Sequence, residues 1–260
     1  MSDDLSKIRR YELKYTVTEE TAAAIIEYVK GFCALDKHVP AGEKGYIVNN
    51  LYFDTSDLRF YYDTKFRRLT RYKPRARYYG EKISEHIWPE LKFRHSSVIW
   101  KIRHKVPVNQ WHTLFHPQKS DRKESLVKNR LDTFEEVIHW HNAQPILHVR
   151  YFREPYVTQI ENYGRVTLDR RLSYRMACGS LDLDCRETDM IYYDDPVTTI
   201  HCESPVLLEI KVERMVPFWA IDLIKRFQLV QRPFSKYCYG IDNNMAKIPD
   251  TRHSILRSTM

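Results

Sequence analysis

Glycine is scarce in this sequence, and long apolar runs are missing. Only 7 of the 260 residues are glycine, whereas 18 are tyrosine. This composition favours many strands joined by few tight glycine turns. No run of about 18 apolar residues occurs, so we expect no membrane-spanning helix. Residues 1–10 lack an apolar core, so we also expect no secretory signal peptide.

Paired cysteines and phosphate-loop glycines are missing as well. The five cysteines are odd in number and form no CxxC pair, which argues against a disulfide framework and a zinc ribbon. We expect reduced thiols and a cytoplasmic protein. No GxxxxGK[ST] motif is present, which excludes a P-loop nucleotide site.

The charge balance is basic. The chain has 42 Lys and Arg against 34 Asp and Glu, a formal net charge of +8. This excess predicts an anionic partner, which could be a nucleic acid, an anionic lipid or a phosphate compound. The composition does not change along the chain, so we predict a single domain over residues 1–260, with a core at about 9–245 and a loose C-terminal tail.

The hydrophobic pattern predicts an α+β fold with an antiparallel sheet or barrel flanked by helices. Strands are predicted at 9–17, 46–54, 67–79, 87–94, 98–105, 146–154, 156–161, 164–170 and 206–213, with a further strand pair within 173–193. Helices are predicted after an N-cap at Thr18, at 58–63, at 120–142 with a cap at Ser120, from Pro217 to about Leu229, and from Ser235 to about Met245. Asp54, at the end of a strand, is predicted to be a turn or cap residue and not a metal ligand.

Charged side chains recur on one face of almost every predicted strand. Successive strand residues point to opposite faces, so residues two apart share a face. The sets are Arg10, Glu12 and Lys14; Arg71, Lys73, Arg75 and Arg77; Glu90, Lys92 and Arg94; Lys101, Arg103 and Lys105; Arg165, Thr167, Asp169 and Arg171; and Glu209, Lys211 and Glu213.

These faces have an ordinary explanation and a functional one. A half-buried sheet normally presents a solvated polar face, which would explain any one strand. Residues 71–77, however, place four cations on one face with no acid between them, and such like charges repel. If the faces line the inside of a barrel, a polyanion must neutralise them. Arginine binds phosphate oxygens well, and the minority carboxylates could hold Mg²⁺ or Mn²⁺.

Eight short segments also resemble one known family. They are RYELKY at 10–15, YFDT at 52–55, KPRARYYG at 73–80, PELK at 89–92, VRYFR at 149–153, VTLDRR at 166–171, LLEIK at 207–211 and FSKYCYG at 234–240. Together they resemble the VTC domain of the vacuolar transporter chaperone complex. That family is one of the CYTH-like triphosphate tunnel metalloenzymes, and the likeness covers residues 9–245.

The resemblance implies a triphosphate tunnel, an antiparallel β-barrel of about eight strands with flanking helices. It also implies an enzyme, a polyphosphate polymerase that transfers the γ-phosphate of ATP to a growing inorganic polyphosphate chain with Mn²⁺ or Mg²⁺. ATP and polyphosphate would be the ligands, and no nucleic acid is expected. A separate membrane protein could receive the product at the inner face of a membrane.

The same resemblance carries roles to individual residues. Lys14, Arg75, Arg77, Lys92, Arg150 and Lys236 match basic positions of the family's motifs, and Lys73 and Lys101 are further predicted substrate-binding lysines. Arg75, Arg77, Lys92, Arg150 and Glu209 are the predicted catalytic residues. Glu209 matches the metal-binding glutamate of the LEIK motif, and Glu12 is predicted to be a second metal ligand. Lys236 could instead be an exposed lysine at a helix start.

The sequence departs from the family in two ways. Arg10 stands where the CYTH pattern ExExK has its first acid, which suggests one metal site and argues a little against plain hydrolysis. The chain shows no SPX sensor or membrane segment, so we expect that it does not translocate its product. The alternatives are an inorganic or nucleoside triphosphatase, a single-strand nucleic-acid-binding module and a non-catalytic polyphosphate-binding protein. Acids such as Glu12, Glu90 and Glu209 argue against nucleic acid because they repel a phosphate backbone.

Overall fold

A computed structural model describes residues 10–83, 85–96, 98–115, 133–159, 164–194, 206–213 and 215–247. The described chain forms two compact units, each made of three segments. Unit 1 takes its described residues from 1–48, 150–172 and 203–235, and unit 2 takes them from 49–149, 173–202 and 236–260. The segments alternate along the sequence, so neither unit is a continuous stretch of chain.

The strands belong to one large sheet. They are β1 Arg10–Val17, β2 Cys33–Leu35, β3 Tyr46–Asp54, β4 Thr70–Tyr79, β5 His86–His95, β6 Val98–Arg103, β7 Val106–Pro107, β8 Gln144–Thr158, β9 Gly164–Met176, β10 Ile191–Tyr192 and β11 Val206–Glu213. The strand order is β1-β11-β9-β8-β3-β4-β5-β6, with β2 on β8, β7 on β5 and β10 on β9. Over the described strands this path ends at β1 and β6, which do not pair with each other, so the hydrogen-bonded ladder stays open.

The helices begin where local chemistry favours them. They are α1 Glu19–Val29, α2 Arg59–Lys65, α3 Phe134–Trp140, α4 Phe218–Arg226 and α5 Lys236–Lys247. The predicted cap of α1 is confirmed, since the Thr18 hydroxyl accepts the Thr21 N–H and two glutamates occupy the first turn. A capping box starts α3, because Thr133 and Glu136 exchange hydrogen bonds between side chain and backbone.

Each unit has an apolar core of its own. In unit 1, Ala22, Ile25 and Val29 of α1 lie three and four residues apart and pack in one buried cluster with Leu208 and Ile210 of β11. In unit 2 the core gathers Phe53, Phe60, Leu91, Phe134 and Val137 from two strands and two helices. These cores leave the opposite faces of the strands for charged residues.

Most predicted elements are confirmed, and two of them change. The strands predicted at 146–154 and 156–161 are one strand, β8, which continues through Pro155. Proline has no backbone N–H to donate, but the Pro155 carbonyl accepts the Asp36 N–H, so strand pairing continues. The strand predicted at 164–170 extends to Met176.

Some predictions fall on parts of the chain that are not described. The helix predicted at 120–142 is seen only as α3, and its predicted cap at Ser120 lies outside the described residues. The C-terminal tail also lies outside them. The α+β class with a large antiparallel sheet is confirmed. Among the residues described, no helix has the length and apolar character needed to cross a membrane.

Candidate phosphate-binding and metal-binding sites

Three strands of unit 2 carry cations in rows across one face. Lys73 of β4 lies directly opposite Lys92 of β5, which lies directly opposite Lys101 of β6. In the next row, Arg75 is opposite Glu90, which is opposite Arg103. Like charges on adjacent strands repel one another, and the Glu90 carboxylate lies 3.1 Å from Lys101 at one end of this lysine row.

Glu90 is the centre of this face. Its carboxylate is 1% exposed and lies near four cations, which leaves the group with a net charge of +3. Arg75 donates from Nε and Nη2 to Oε2 at 2.8 and 2.6 Å. Lys101 Nζ lies 3.1 Å from Oε1, Arg103 Nε lies 3.4 Å from Oε1, and Arg77 Nη1 lies 3.8 Å from Oε2.

The ionisation of this cluster follows from its geometry. Burial opposes the charge of Glu90, but Arg75, Arg77 and Lys101 outweigh burial and hold the pKa of Glu90 well below its usual range. Burial, together with the neighbouring cations Arg75 and Arg77, lowers the pKa of Lys101 to about 8, although the charge of Glu90 acts in the opposite direction. Lys101 is therefore a cation at neutral pH that loses its proton in mildly alkaline solution.

Neighbouring side chains fix the two arginines of β4. Arg75 Nη1 donates to the Tyr52 hydroxyl at 3.1 Å, and Arg77 Nε donates to Asn50 Oδ1 at 2.9 Å. Tyr52 in turn stacks on Tyr237 of α5, with ring centroids 5.1 Å apart. Both guanidinium groups are thus held in place before any ligand binds.

Unit 1 contains a second charged cluster, centred on Glu209 of β11. Its side chain is 5% exposed and lies 3.3 Å from Lys14 Nζ, 3.0 Å from Lys211 Nζ and 3.8 Å from Arg153 Nη2. Glu12 Oε1 lies 3.2 Å from the same Lys14. Burial works against the charge of Lys14, but Glu209 and Glu12 outweigh it and raise the pKa of Lys14 above its usual value.

Unit 1 also contains oxygen donors near Glu209. Thr167 of β9 lies directly opposite Glu209, and its buried hydroxyl has no hydrogen-bond partner among the residues that the structure describes. Mg²⁺ takes one or two protein carboxylates and fills its other positions with water or phosphate oxygens. Glu209, Glu12 and the Thr167 hydroxyl can supply that set. In the described part of the chain, no group of three or more His, Cys, Asp or Glu forms a closed metal cage.

The other two predicted site residues, Arg150 and Lys236, lie on other elements. Arg150 is buried in β8 in unit 1, and Lys236 is the first residue of α5 in unit 2. Lys236 is 8% exposed, so the alternative of an exposed lysine is wrong. Unit 2 brings together Lys73, Arg75, Arg77, Lys92 and Lys101, and unit 1 brings together Glu12, Lys14 and Glu209.

Two predicted face members are wrong. Lys105 lies beyond the end of β6 at Arg103, so it does not continue that face. Arg171 has a left-handed backbone, with φ of 52°, which interrupts the alternation of β9 and leaves its side chain exposed.

Five residues of the two clusters were not among the predicted site residues: Glu90, Arg103, Lys211, Arg153 and Thr167. Glu90, Arg103 and Lys211 belong to the charged faces, but the sequence alone could not show that Glu90 lies opposite Arg75 and Arg103 opposite Glu90. Arg153 binds Asp169 through two hydrogen bonds of 2.7 and 2.8 Å and also approaches Glu209. Thr167 carries no charge, so only its register opposite Glu209 reveals it.

The sequence model of the VTC domain matches residues 9–244, nearly the whole chain. This chain belongs to the VTC domain family. The membership predicted from the eight short segments is therefore confirmed. Comparison with curated proteins found no match for the sequence.

Two solved structures resemble this VTC domain weakly. One, from Bacillus halodurans, is described as a "putative adenylate cyclase"; it is 15% identical, with 86% of this chain and 92% of that chain covered and a TM-score of 0.44. The other, with the same description, is from Vibrio parahaemolyticus; it is 11% identical, with 88% and 96% covered and a TM-score of 0.43. Similarity at this level adds nothing about activity.

Proposed function

We propose that this VTC domain is a metal-dependent polyphosphate polymerase that transfers the γ-phosphate of ATP to the end of an inorganic polyphosphate chain. The observation that carries the proposal is the cationic face of β4, β5 and β6. Four cations near one buried carboxylate, together with Lys73 and Lys92 in the row that also contains Lys101, leave positive charge that a chain of phosphates would neutralise.

The chemistry of the side chains favours phosphate over other anions. Arg75 and Arg77 present planar guanidinium forks, and these bind phosphate oxygens through paired hydrogen bonds. Lys73, Lys92 and Lys101 are point charges in a line across the strands, which suits a linear chain of repeating charge. Arg150, Lys14 and Lys236 are the further phosphate contacts that we propose.

Glu90 would position these groups without touching the substrate. Its hydrogen bonds hold the Arg75 guanidinium, and its charge keeps the cations together before substrate binds. A preorganised cationic site stabilises charge that develops in a transition state, because no side chain must move when that charge appears. For this reason we assign Glu90 as a positioning residue.

Glu209 and Glu12 are the proposed ligands of Mg²⁺ or Mn²⁺, with the Thr167 hydroxyl as a further oxygen. The ion would neutralise charge on the phosphate oxygens during transfer. Lys14 and Lys211, which contact Glu209 in the structure, would have to release part of its carboxylate to admit the ion.

The transfer breaks the bond between the γ-phosphorus and the β–γ bridging oxygen of ATP. A bond forms between the same phosphorus and a terminal oxygen of orthophosphate or polyphosphate, and ADP leaves. The terminal oxygen of the acceptor is already anionic at neutral pH, so the step needs no general base. The arginines would stabilise charge on the transferring group, as in other phosphoryl-transfer sites.

The test is to incubate the pure protein with ATP and Mn²⁺, with and without a short polyphosphate primer, and to separate the products on a gel stained for polyphosphate. Arg75→Ala and Glu209→Gln are expected to lose the polymer. Arg186→Ala is the matched control, because it removes an arginine whose side chain is 74% exposed and lies 3.1 Å from Asp189, outside both charged clusters. It is expected to keep full synthesis.

Three other outcomes would contradict the proposal, and the first two of them would identify an alternative function. ADP and free phosphate without polymer would identify a triphosphatase. Binding of polyphosphate without consumption of ATP would identify a non-catalytic polyphosphate-binding protein. Loss of polymer in Arg186→Ala to the same extent as in Arg75→Ala would show that general basicity, and not the cluster at Glu90, supports the reaction.

A further inference from the structure

One end of the β4–β5–β6 face carries large apolar side chains in contact with solvent. We call it the tip surface and define it by four residues: Tyr62, Phe66, Leu69 and Ile99. Phe66 is 66% exposed and Leu69 is 71% exposed. Single exposed apolar residues are ordinary, but a contiguous group of them marks an interaction surface.

Hydrogen bonds and strand register join these residues into one surface. The Ser96 N–H donates to the Leu69 carbonyl at 2.8 Å, which ties the β5–β6 turn to the segment after α2. Ile99 lies directly opposite Arg94, which lies directly opposite Arg71, two residues after Leu69. The rings of Tyr62 and Phe66 stack with centroids 5.8 Å apart.

The backbone holds the apolar residues in a fixed turn. Arg67 follows the end of α2 in a left-handed conformation, with φ of 53°. The N–H of Arg67 donates to the Thr64 carbonyl and that of Arg68 to the Asp63 carbonyl, which is the paired bonding of a Schellman motif. This position usually holds glycine, and here Arg67 occupies it.

Arginines surround the tip surface. Arg71 lies directly opposite Arg94, which lies directly opposite Ile99, and Arg67 and Arg68 precede them in the turn. Asp63 lies 3.3 Å from Arg68 and 4.0 Å from Arg59, so it offsets part of that charge. Burial, Arg94 and Arg67 together lower the pKa of Arg71, which shows that these cations crowd one another.

We propose that the tip surface binds an anionic lipid membrane. Phe66 and Leu69 would enter the boundary between headgroups and acyl chains, and Arg67, Arg71 and Arg94 would contact the lipid phosphates. Exposed apolar side chains within a ring of basic residues are the pattern of a membrane-surface anchor. The charge complementarity favours this partner over a neutral one. The proposal is independent of the polymerase activity.

The test measures co-sedimentation of the full chain with vesicles of phosphatidylcholine alone and with about one-third phosphatidylserine. We expect binding to the anionic vesicles to be at least about tenfold stronger, and to weaken at about 0.5 M salt because salt screens the arginines. Phe66→Ser with Leu69→Ser should reduce binding to anionic vesicles by about tenfold or more, because the inserted apolar area is lost.

Met215→Ser with Phe218→Ser is the matched control. These two residues are 80% and 81% exposed and belong to unit 1, so the change removes similar apolar area elsewhere. We expect no change in vesicle binding. Arg67→Gly removes one cation and introduces glycine, which readily adopts the left-handed conformation of this turn. The variant should bind anionic vesicles more weakly, while its thermal unfolding temperature stays the same or rises.

Four results would overturn the proposal. The tip surface would not be a membrane anchor if the chain bound neutral and anionic vesicles equally well. The same conclusion would follow if the Phe66/Leu69 double variant bound anionic vesicles as well as the unchanged chain does. A similar loss in the Met215/Phe218 control would exclude it as well. If the unchanged chain is a dimer by light scattering and the Phe66/Leu69 variant is a monomer that binds vesicles equally well, the surface contacts a second copy and not lipid.

Discussion

Glu90 shows what a single buried carboxylate does in this protein. It lies near four cations, and its side chain is almost fully removed from water. A buried ion pair contributes little net stability compared with apolar residues, but removing one partner leaves the others uncompensated. Glu90 therefore allows a cationic site to exist in the folded protein without its ligand.

Glu90→Gln should destabilise the ligand-free protein by about 3 kcal/mol, because the cations lose their carboxylate. Tripolyphosphate should then raise the unfolding temperature more in the variant than in the unchanged chain, since the phosphates replace the lost charge. Thermal unfolding with and without tripolyphosphate measures both effects. An equal rise in the two proteins would show that the phosphates bind elsewhere.

The acid sensitivity of the protein should change in the same variant. The pKa of Glu90 is held below its usual range, so its stabilising contribution is complete above the ordinary glutamate pKa of about 4.3 and is lost as the pH falls through the folded-state value. Glu90→Gln should lose less stability than the unchanged chain on acidification below about pH 4.

Lys101 gives the site a pH dependence on the alkaline side. Its pKa of about 8 means that it loses its charge above pH 8, so the affinity for tripolyphosphate should fall between pH 7 and pH 9. The fall should be several-fold and no more, because one cation of several is lost. Lys101→Arg stays charged and should flatten the profile; calorimetric titration at each pH measures it. If the affinity for tripolyphosphate depends on pH equally in Lys101→Arg and in the unchanged chain, Lys101 does not belong to the binding site.

The residue types of the site could be predicted from the sequence, but its centre could not. Alternation along β4 was enough to place Arg75 and Arg77 on one face, because strand geometry is local. Glu90 and Arg103 became part of the site only through strand register, which places Glu90 opposite Arg75 and Arg103 opposite Glu90. Thr167 has no charge and could be found only through the strand opposite it.

At the scale of elements, the strands were predicted better than the irregular positions within them. β3 and β11 have the bounds that their apolar pattern predicts. The strands predicted at 146–154 and 156–161 are one strand, β8, and the carbonyl of Pro155 within it is paired with the Asp36 N–H. The left-handed Arg171 could not be anticipated, since nothing in its local sequence requires a positive φ.

The start of α2 depends on one buried carboxylate that also holds α5. Asp54 accepts the N–H groups of Thr55, Phe60 and Tyr61, each at 2.8 Å, and the Tyr237 hydroxyl at 2.5 Å. The prediction that Asp54 is a turn or cap residue is thus supported by the bonds it makes. Because α5 begins at Lys236, the same carboxylate helps to position that lysine.

Asp54→Ala should cost about 2 kcal/mol or more, since it removes a helix cap and leaves a buried tyrosine hydroxyl without its acceptor. Tyr237→Phe should cost about 1 kcal/mol, because only one hydrogen bond is lost. Urea unfolding measures both. We also expect Tyr237→Phe to raise KM for ATP more than it lowers kcat, as a loosened lysine would. Equal stability losses in the two variants would contradict the assigned role of Asp54.

At the scale of the whole molecule, the basic charge is concentrated and not spread evenly. The chain carries a formal charge of +8, and the rows of β4, β5 and β6 hold a large share of it on one face of unit 2. Both units take their residues from three separate segments of the sequence, so composition along the chain could not have revealed them. The prediction of a single domain over residues 1–260 stays a prediction.

The most direct test of the central claim follows the label of ATP into polymer. The protein is incubated with Mn²⁺, a short polyphosphate primer and ATP labelled either at the γ-phosphate or at the α-phosphate, and the products are separated by size. We predict that the γ-label enters a ladder of long chains while the α-label stays in ADP and ATP. A γ-label found only in orthophosphate, or left in ATP, would contradict the assignment of this VTC domain as a polyphosphate polymerase.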